Sequence, residues 1–270
     1  MHINDKGREK NKIMTSFAGD FINNADFYMK KDIVITEDGS HTLRVREIDE
    51  CYHSTHGAVQ ESEYIFVNSA LKHFLSVCRT DCFCETMTDK RGDGISAGNR
   101  REIRVLEIGF GTGLNTYLTL LEAEKMNLVI NYTSLELYPL SVEYASLLNY
   151  PELIDADREL FEKIHRSSWD EDNNITSFFV LHKIKADFTE YEIQGLYDVI
   201  YFDAFSPEKQ PEMWTDDMFK KINGHSGHEA VMTTYCAKGA VRRAMQAAGF
   251  VMERLPGPQG KREILRASKR

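Results

Sequence analysis

Val105-Leu106-Glu107-Ile108-Gly109-Phe110-Gly111-Thr112-Gly113-Leu114-Asn115 is an apolar strand that runs into three alternating glycines and then into the start of a helix. Glycines at such a point let the backbone turn sharply and approach a ligand closely, and the following helix aims free N–H groups at whatever occupies the turn. The pattern is that of a nucleotide-cofactor loop. A dinucleotide fingerprint, Gly-x-Gly-x-x-Gly, reserves its third glycine for packing the helix on the strand. Here that glycine comes one position early, at Gly113, and Leu114 fills the reserved place. The loop alone leaves open an NAD(P) site, a site for another nucleoside cofactor and a structural turn.

A doubly wound sheet binds its ligand at the carboxyl ends of its strands, so further acids are expected there. Tyr132–Glu136 reads as a second strand ending in Glu136; Phe178–Ile184 reads as a third, with Asp187 just beyond it; Tyr197–Asp203 reads as a fourth, ending in Asp203. A carboxylate in the position of Glu136 accepts from both hydroxyls of a ribose. A single such acid is commonly a helix N-cap or a solvated loop residue, but three in register after three strands point to one site. Glu107 completes an acidic-x-Gly-x-Gly-x-Gly pattern that resembles motif I of class I S-adenosyl-L-methionine (SAM) methyltransferases. That resemblance implies SAM as cofactor, held by Glu107, Gly109, Gly111, Gly113 and Asn115, with Glu136 at the ribose and Asp187 at the adenine.

The 270 residues, 42% hydrophobic, suffice for one α/β domain with an N-terminal elaboration. The start, Met1 to Lys12, is polar, and no apolar run has membrane-spanning length, so a soluble cytoplasmic protein without a membrane association is expected. Five cysteines, Cys51, Cys78, Cys82, Cys84 and Cys236, form no Cys-x-x-Cys pair and read as reduced structural thiols rather than metal ligands.

The chain divides into a flexible tail at 1–30, an N-terminal elaboration at 31–101 and a cofactor-binding core at 102–270. In the elaboration, residues 31–68 read as short strands, with a hairpin turn at Glu37-Asp38-Gly39-Ser40, followed by a helix near Ser69–Val77 and a surface insertion at 88–101. From Ile103 onward strands and helices alternate, the mark of a doubly wound, mostly parallel sheet, here expected to be seven-stranded and Rossmann-like. Phe250–Leu255 and Glu263–Ala267 form a closing hairpin.

Four motifs carry a closer resemblance. Tyr52-His53-Ser54-Thr55-His56-Gly57-Ala58-Val59-Gln60-Glu61-Ser62, the Gly-Phe-Gly-Thr-Gly-Leu-Asn loop, Phe202-Asp203-Ala204-Phe205-Ser206-Pro207 with Pro211-Glu212-Met213-Trp214, and Gly257-Pro258-Gln259-Gly260-Lys261-Arg262-Glu263 resemble, in order, the methyltransferase domain of the MnmC family. The resemblance implies a SAM-dependent methylation of the aminomethyl nitrogen of 5-aminomethyl-2-thiouridine at the wobble position of tRNA. It implies a stand-alone form without the FAD oxidase domain, supplied with substrate by upstream wobble-uridine modification enzymes. Ser54 and Glu61 are carried over as cofactor-side residues; His53 and His56 sit in the same motif, and a metal on that pair is not expected.

Methylating an amine requires a free lone pair, and an acceptor beside it to take the proton. Asp203 stands where family precedent puts the residue facing the reacting nitrogen. Phe205, Pro207 and Trp214 are expected to wall the uracil ring, with core packing as the alternative for Phe205 and Trp214; Tyr235 is a weaker candidate for the same pocket. The net charge of −9 hides a segregation: Lys238–Arg270 carries +7, leaving −16 for residues 1–237. A basic face containing Lys261 and Arg262 is therefore expected to meet the anticodon stem-loop. A small-molecule N-methyltransferase, an NAD(P)-linked oxidoreductase and a non-catalytic binding module remain open at this level.

Overall fold

The computed structural model describes residues 31–82 and 102–270. The expected tail at 1–30 and the insertion at 88–101 lie outside the described residues, as do the side chains of Cys78, Cys82 and Cys84. β1 (Lys31–Ile35), β2 (His41–Val45) and β3 (Glu50–Cys51) form a small antiparallel sheet. Its first turn is closed by Asp38, whose Oδ1 accepts from Ser40 N (2.9 Å) and Thr36 Oγ1 (2.6 Å).

A continuous helical rod follows: α1 (Ala58–Ser62), a π-helical segment (Glu63–Lys72) and α2 (His73–Cys82). Residues 58–68 are thus helical, where short strands were expected. Tyr64-Ile65-Phe66-Val67 is strand-like by local preference, but Phe66, Ala70 and Phe74 recur four residues apart and are buried, so packing of that face overrides the preference.

The main sheet has eight strands, one more than expected. β4 (Glu102–Ile108) leads through the glycine loop into α3 (Leu114–Met126) and back to β5 (Val129–Glu136). Three short helices, α4 (Val142–Ser146), α5 (Tyr150–Leu153) and α6 (Arg158–Arg166), precede the added edge strand β6 (Asp172–Asn174), then β7 (Phe179–Lys185) and β8 (Tyr197–Phe202). A 3₁₀ turn (Pro211–Trp214) leads to α7 (Asp216–Gly224), β9 (Ser226–Thr234), α8 (Gly239–Ala247), β10 (Val251–Pro256) and β11 (Glu263–Ser268). The order is β10-β11-β9-β8-β4-β5-β7-β6, parallel from β9 to β7 and antiparallel at both edges.

β4 lies between β8 and β5, so the chain reverses direction across the sheet at β4, and the crevice at its carboxyl end is where a ligand is received. Side chains alternate strictly across β4. Ile103 and Val105 pack with Tyr117, Phe66 and Tyr201 on one face, whereas Leu106 and Ile108 pack with Phe202, Phe219 and Met245 on the other. Glu107 shares the face of Val105 and is sealed beneath α3, fully buried.

Candidate active site

At the carboxyl end of β4 a cavity of about 420 Å³ opens between the glycine loop, the strand ends and the Tyr52–Glu61 segment. Gly109 and Gly111 form its floor, both at positive φ (99° and 51°). A Cβ at Gly109 would lie 2.5 Å from the Asp203 carbonyl oxygen, and one at Gly111 2.9 Å from the Tyr52 ring, so the loop is pressed against both walls. Glu136 closes one side: Oε2 accepts from Gly111 N and Oε1 from Tyr138 N, each at 2.9 Å, and burial pushes this carboxyl above its ordinary range. Asp187 lies further along the same wall with Ala186 and Phe188, its Oδ1 accepting from Thr189 N (2.8 Å) and Oγ1 (2.7 Å).

The opposite end is acidic and aromatic. Asp203 is half-buried and accepts from Asn115 Nδ2 (2.8 Å); burial, reinforced by the neighbouring Glu61 charge, pushes it up to about 7 against the pull of Asn115 and Lys261. Glu61 is buried; it accepts from Ser54 N (3.2 Å) and pairs with Lys261 (3.2 Å), whose ammonium lies over the Tyr235 ring at 4.7 Å. Tyr235 in turn donates to Ala204 O (2.9 Å). Phe205 lines the cavity edge-on to Tyr52, with centroids 5.2 Å apart, and its N–H donates to Gln210 Oε1.

Gly109, Gly111, Asn115, Glu136, Asp187, Asp203, Ser54, Glu61, Phe205 and Lys261 therefore share one cavity. Five expected site residues do not line it. Glu107 lies beneath the floor, because strand alternation turns it away from the crevice. Gly113 faces His165 and the Phe110 ring on the far side of the loop. Trp214 is buried against Phe202 and Phe219 and donates Nε1–H to Phe205 O (2.8 Å), so it props up the aromatic wall without forming it. Pro207 and Arg262 border a neighbouring cleft of about 390 Å³ with Lys238, joined to the first through Tyr235 and Lys261.

Sequence reasoning did not single out Tyr52, Tyr138 or Gln210. The first stood in a quoted motif, and the second lies two residues beyond a strand-end acid; Gln210 carries no signal outside its fold. His53 is buried against Thr112 Oγ1 (2.8 Å) and pushed down to about 4 by burial, a neutral structural imidazole. Among the described residues no cluster of His, Cys, Asp or Glu is arranged to hold a metal ion, and no helix is long and apolar enough to cross a membrane.

Residues 158–270 match a family model described as S-adenosyl-L-methionine-dependent methyltransferase. The chain is 29% identical over 238 residues to the tRNA 5-methylaminomethyl-2-thiouridine biosynthesis bifunctional protein MnmC of Pseudomonas savastanoi, covering 83% of this chain and 33% of the relative. It is 33% identical over 183 residues to the MnmC of Caulobacter vibrioides, covering 62% and 30%. The crystal structure of MnmC2 from Aquifex aeolicus superimposes with a TM-score of 0.64 at 24% identity, covering 98% of this chain and 78% of that one, a likeness of fold. Glycine floor, strand-end carboxylates and switch-point crevice, together with these matches, give the class I α/β fold of SAM-dependent methyltransferases. Among proteins of that class, the chain is similar in sequence to the MnmC proteins over 83% of its length. It spans about a third of the length of these curated MnmC relatives. The cavity suits SAM: the Glu136 carboxylate stands on its wall, and the glycine floor admits close approach of a ligand.

Proposed function

We propose that this chain methylates the aminomethyl nitrogen of 5-aminomethyl-2-thiouridine at the wobble position of tRNA, in the cytoplasm, on substrate made by upstream wobble-uridine enzymes. The observation that carries the reading is the acidic, aromatic end of the cavity: Asp203 beside Phe205, with Glu61 and Lys261 behind it. Residues 102–270 form the cofactor-binding core, and the preceding sheet and helical rod supply the Tyr52–Glu61 wall.

When bound, SAM supplies an electrophilic methyl group on sulfonium sulfur, so the substrate nitrogen needs its lone pair free and in line. An aminomethyl group is largely protonated near neutrality. Asp203, poised at about 7, accepts a hydrogen bond from the amine, takes the proton directly or through water, and orients the lone pair. Glu136 and Asp187 hold the ribose and adenine, Gly109 and Gly111 present backbone to the cofactor, and Ser54 and Glu61 close over it. Phe205 stacks beside the uracil ring, held by Trp214 from below. Lys261 stands at the passage to the second cleft, where Arg262 and Pro207 receive the flanking sugar-phosphate.

The test is methyl transfer from labelled SAM to bulk tRNA from cells lacking this activity, followed by nucleoside analysis. Label in 5-methylaminomethyl-2-thiouridine is expected. SAM binding without label in that nucleoside would overturn the assignment and direct attention to a small-molecule amine.

A further inference from the structure

Glu107 is fully buried at the penultimate position of β4, under the floor of the cavity and away from anything bound above it. Its Oε2 accepts from Ser134 Oγ (2.5 Å), its register partner on β5, and from Thr116 Oγ1 (3.0 Å) on α3. Its Oε1 has no donor among the described residues, and neither has Asn115 Oδ1. The Asn115 side chain stands between the two carboxyls: Nδ2 donates to Asp203 Oδ2 at 2.8 Å, and the next residue along α3, Thr116, bonds Glu107.

Two carboxyls linked by one amide call for one proton. With both acids ionised, Asn115 Oδ1 is buried without a donor and like charges stand on either side of one amide. A proton on Glu107 Oε1 gives Asn115 Oδ1 its donor and leaves Nδ2 for Asp203. The Tyr132 hydroxyl, buried beside the same carboxyl, also lacks a partner among the described residues. The reverse arrangement, with the proton on Asp203 and the amide turned over, is disfavoured by the surroundings. Asp203 opens on the cavity and is pulled toward the charged form by Lys261, with Glu61 opposing and Tyr235 nearby. Glu107 is walled in by Ser134, Thr116, Tyr132 and Tyr201, with no cation beside it among the described residues. Burial accordingly pushes Glu107 up to about 8 and Asp203 to about 7.

We propose that Glu107 is a positioning residue: it keeps its proton, donates it to Asn115 Oδ1, and so locks the amide with Nδ2 toward Asp203, leaving Asp203 as the ionised carboxylate at the substrate end. The acidic position of the cofactor motif then serves the reacting end through two hydrogen bonds. The assignment rests on the reading of Asp203 as proton acceptor, but the arrangement is measurable without turnover.

The experiment is a carbon-13 carboxyl NMR titration of Asp203 in the full chain without substrate, assigned with D203N, in the parent protein and in E107Q. Glutamine has the shape and the donor of a protonated glutamic acid. The Asp203 midpoint is therefore expected to stay within about half a pH unit of the parent, and the infrared band of a buried protonated carboxyl to vanish in E107Q. A fall of one pH unit or more in the Asp203 midpoint would show that Glu107 is charged in the native protein and would overturn the proposal. E107L removes the donor; kcat is expected to drop about tenfold with the KM for SAM unchanged, and E107Q to rescue it to within about threefold of the parent. Loss of SAM affinity in E107Q would instead return Glu107 to the cofactor. Should D203N retain turnover, the base reading fails, while the titration still decides where the proton sits.

Discussion

Replacing Asp203 by asparagine should stabilise the protein while disabling it. Burial pushes the carboxyl from 3.8 up to about 7. A native value above the unfolded one means that, between those limits, the folded chain keeps a proton that the unfolded chain has released, so stability falls as pH rises from about 4 to about 7. The whole displacement corresponds to about 4 kcal/mol. Asp203 lines the open cavity, and we expect about 1–2 kcal/mol of this to be recovered by the neutral amide, whose oxygen still accepts from Asn115. Urea unfolding of D203N and parent at pH 5 and pH 8 reads the effect. The variant should be the more stable at pH 8 by that amount, the gap should shrink toward pH 5, and turnover should be lower by about two orders of magnitude or more. A variant less stable than the parent at pH 8, or a difference that ignores pH, would refute the argument that an ionised, desolvated carboxylate is held at that strand end.

In the parent, kcat/KM should rise through about pH 7 as Asp203 ionises; a flat profile over that window would remove it from the proton path. G109A forces a Cβ to within 2.5 Å of the Asp203 carbonyl at a φ of 99°, and chemical denaturation should show a loss of about 1–3 kcal/mol. E136A removes the acceptor of two backbone N–H groups at the cavity wall, and calorimetry should show SAM binding weakened by about tenfold or more, with tRNA affinity little changed. R262A should weaken tRNA binding evenly across sequences and reduce the slope of log affinity against log salt by about one, as expected for one phosphate contact.

The crevice was legible because its ingredients are local: an apolar strand, alternating glycines, and acids that punctuate the strands after it. Glu136, Asp187 and Asp203 share a cavity because parallel strands end at one edge of a sheet. The placement of Glu107 beneath the floor carried a signal in the sequence, since Ile103, Val105 and Glu107 share one face of a strand and Leu106 and Ile108 the other. The helical rod was missed between Ala58 and Asn68 because its buried face is rich in strand-preferring residues, and only the recurrence of Phe66, Ala70 and Phe74 betrays the period. The role of Trp214 could not be read from the chain, because its partner is a main-chain carbonyl brought near by a 3₁₀ turn. The second cleft depends on β11 lying between β9 and β10, an order that no local pattern encodes.

That insertion also governs when the site comes into being. β11 contacts β9 and β10 at once, and the turn ahead of it carries Lys261 to Glu61, a pairing that spans 200 residues of chain. Loop closure of that length is entropically slow to reach, and contacts of such sequence separation govern folding rate more than final stability. During refolding, tryptophan burial around Trp214, set by nearby sequence, should therefore run ahead of the recovery of methyl transfer, with assembly of the Lys261 wall marking the moment the molecule becomes an enzyme.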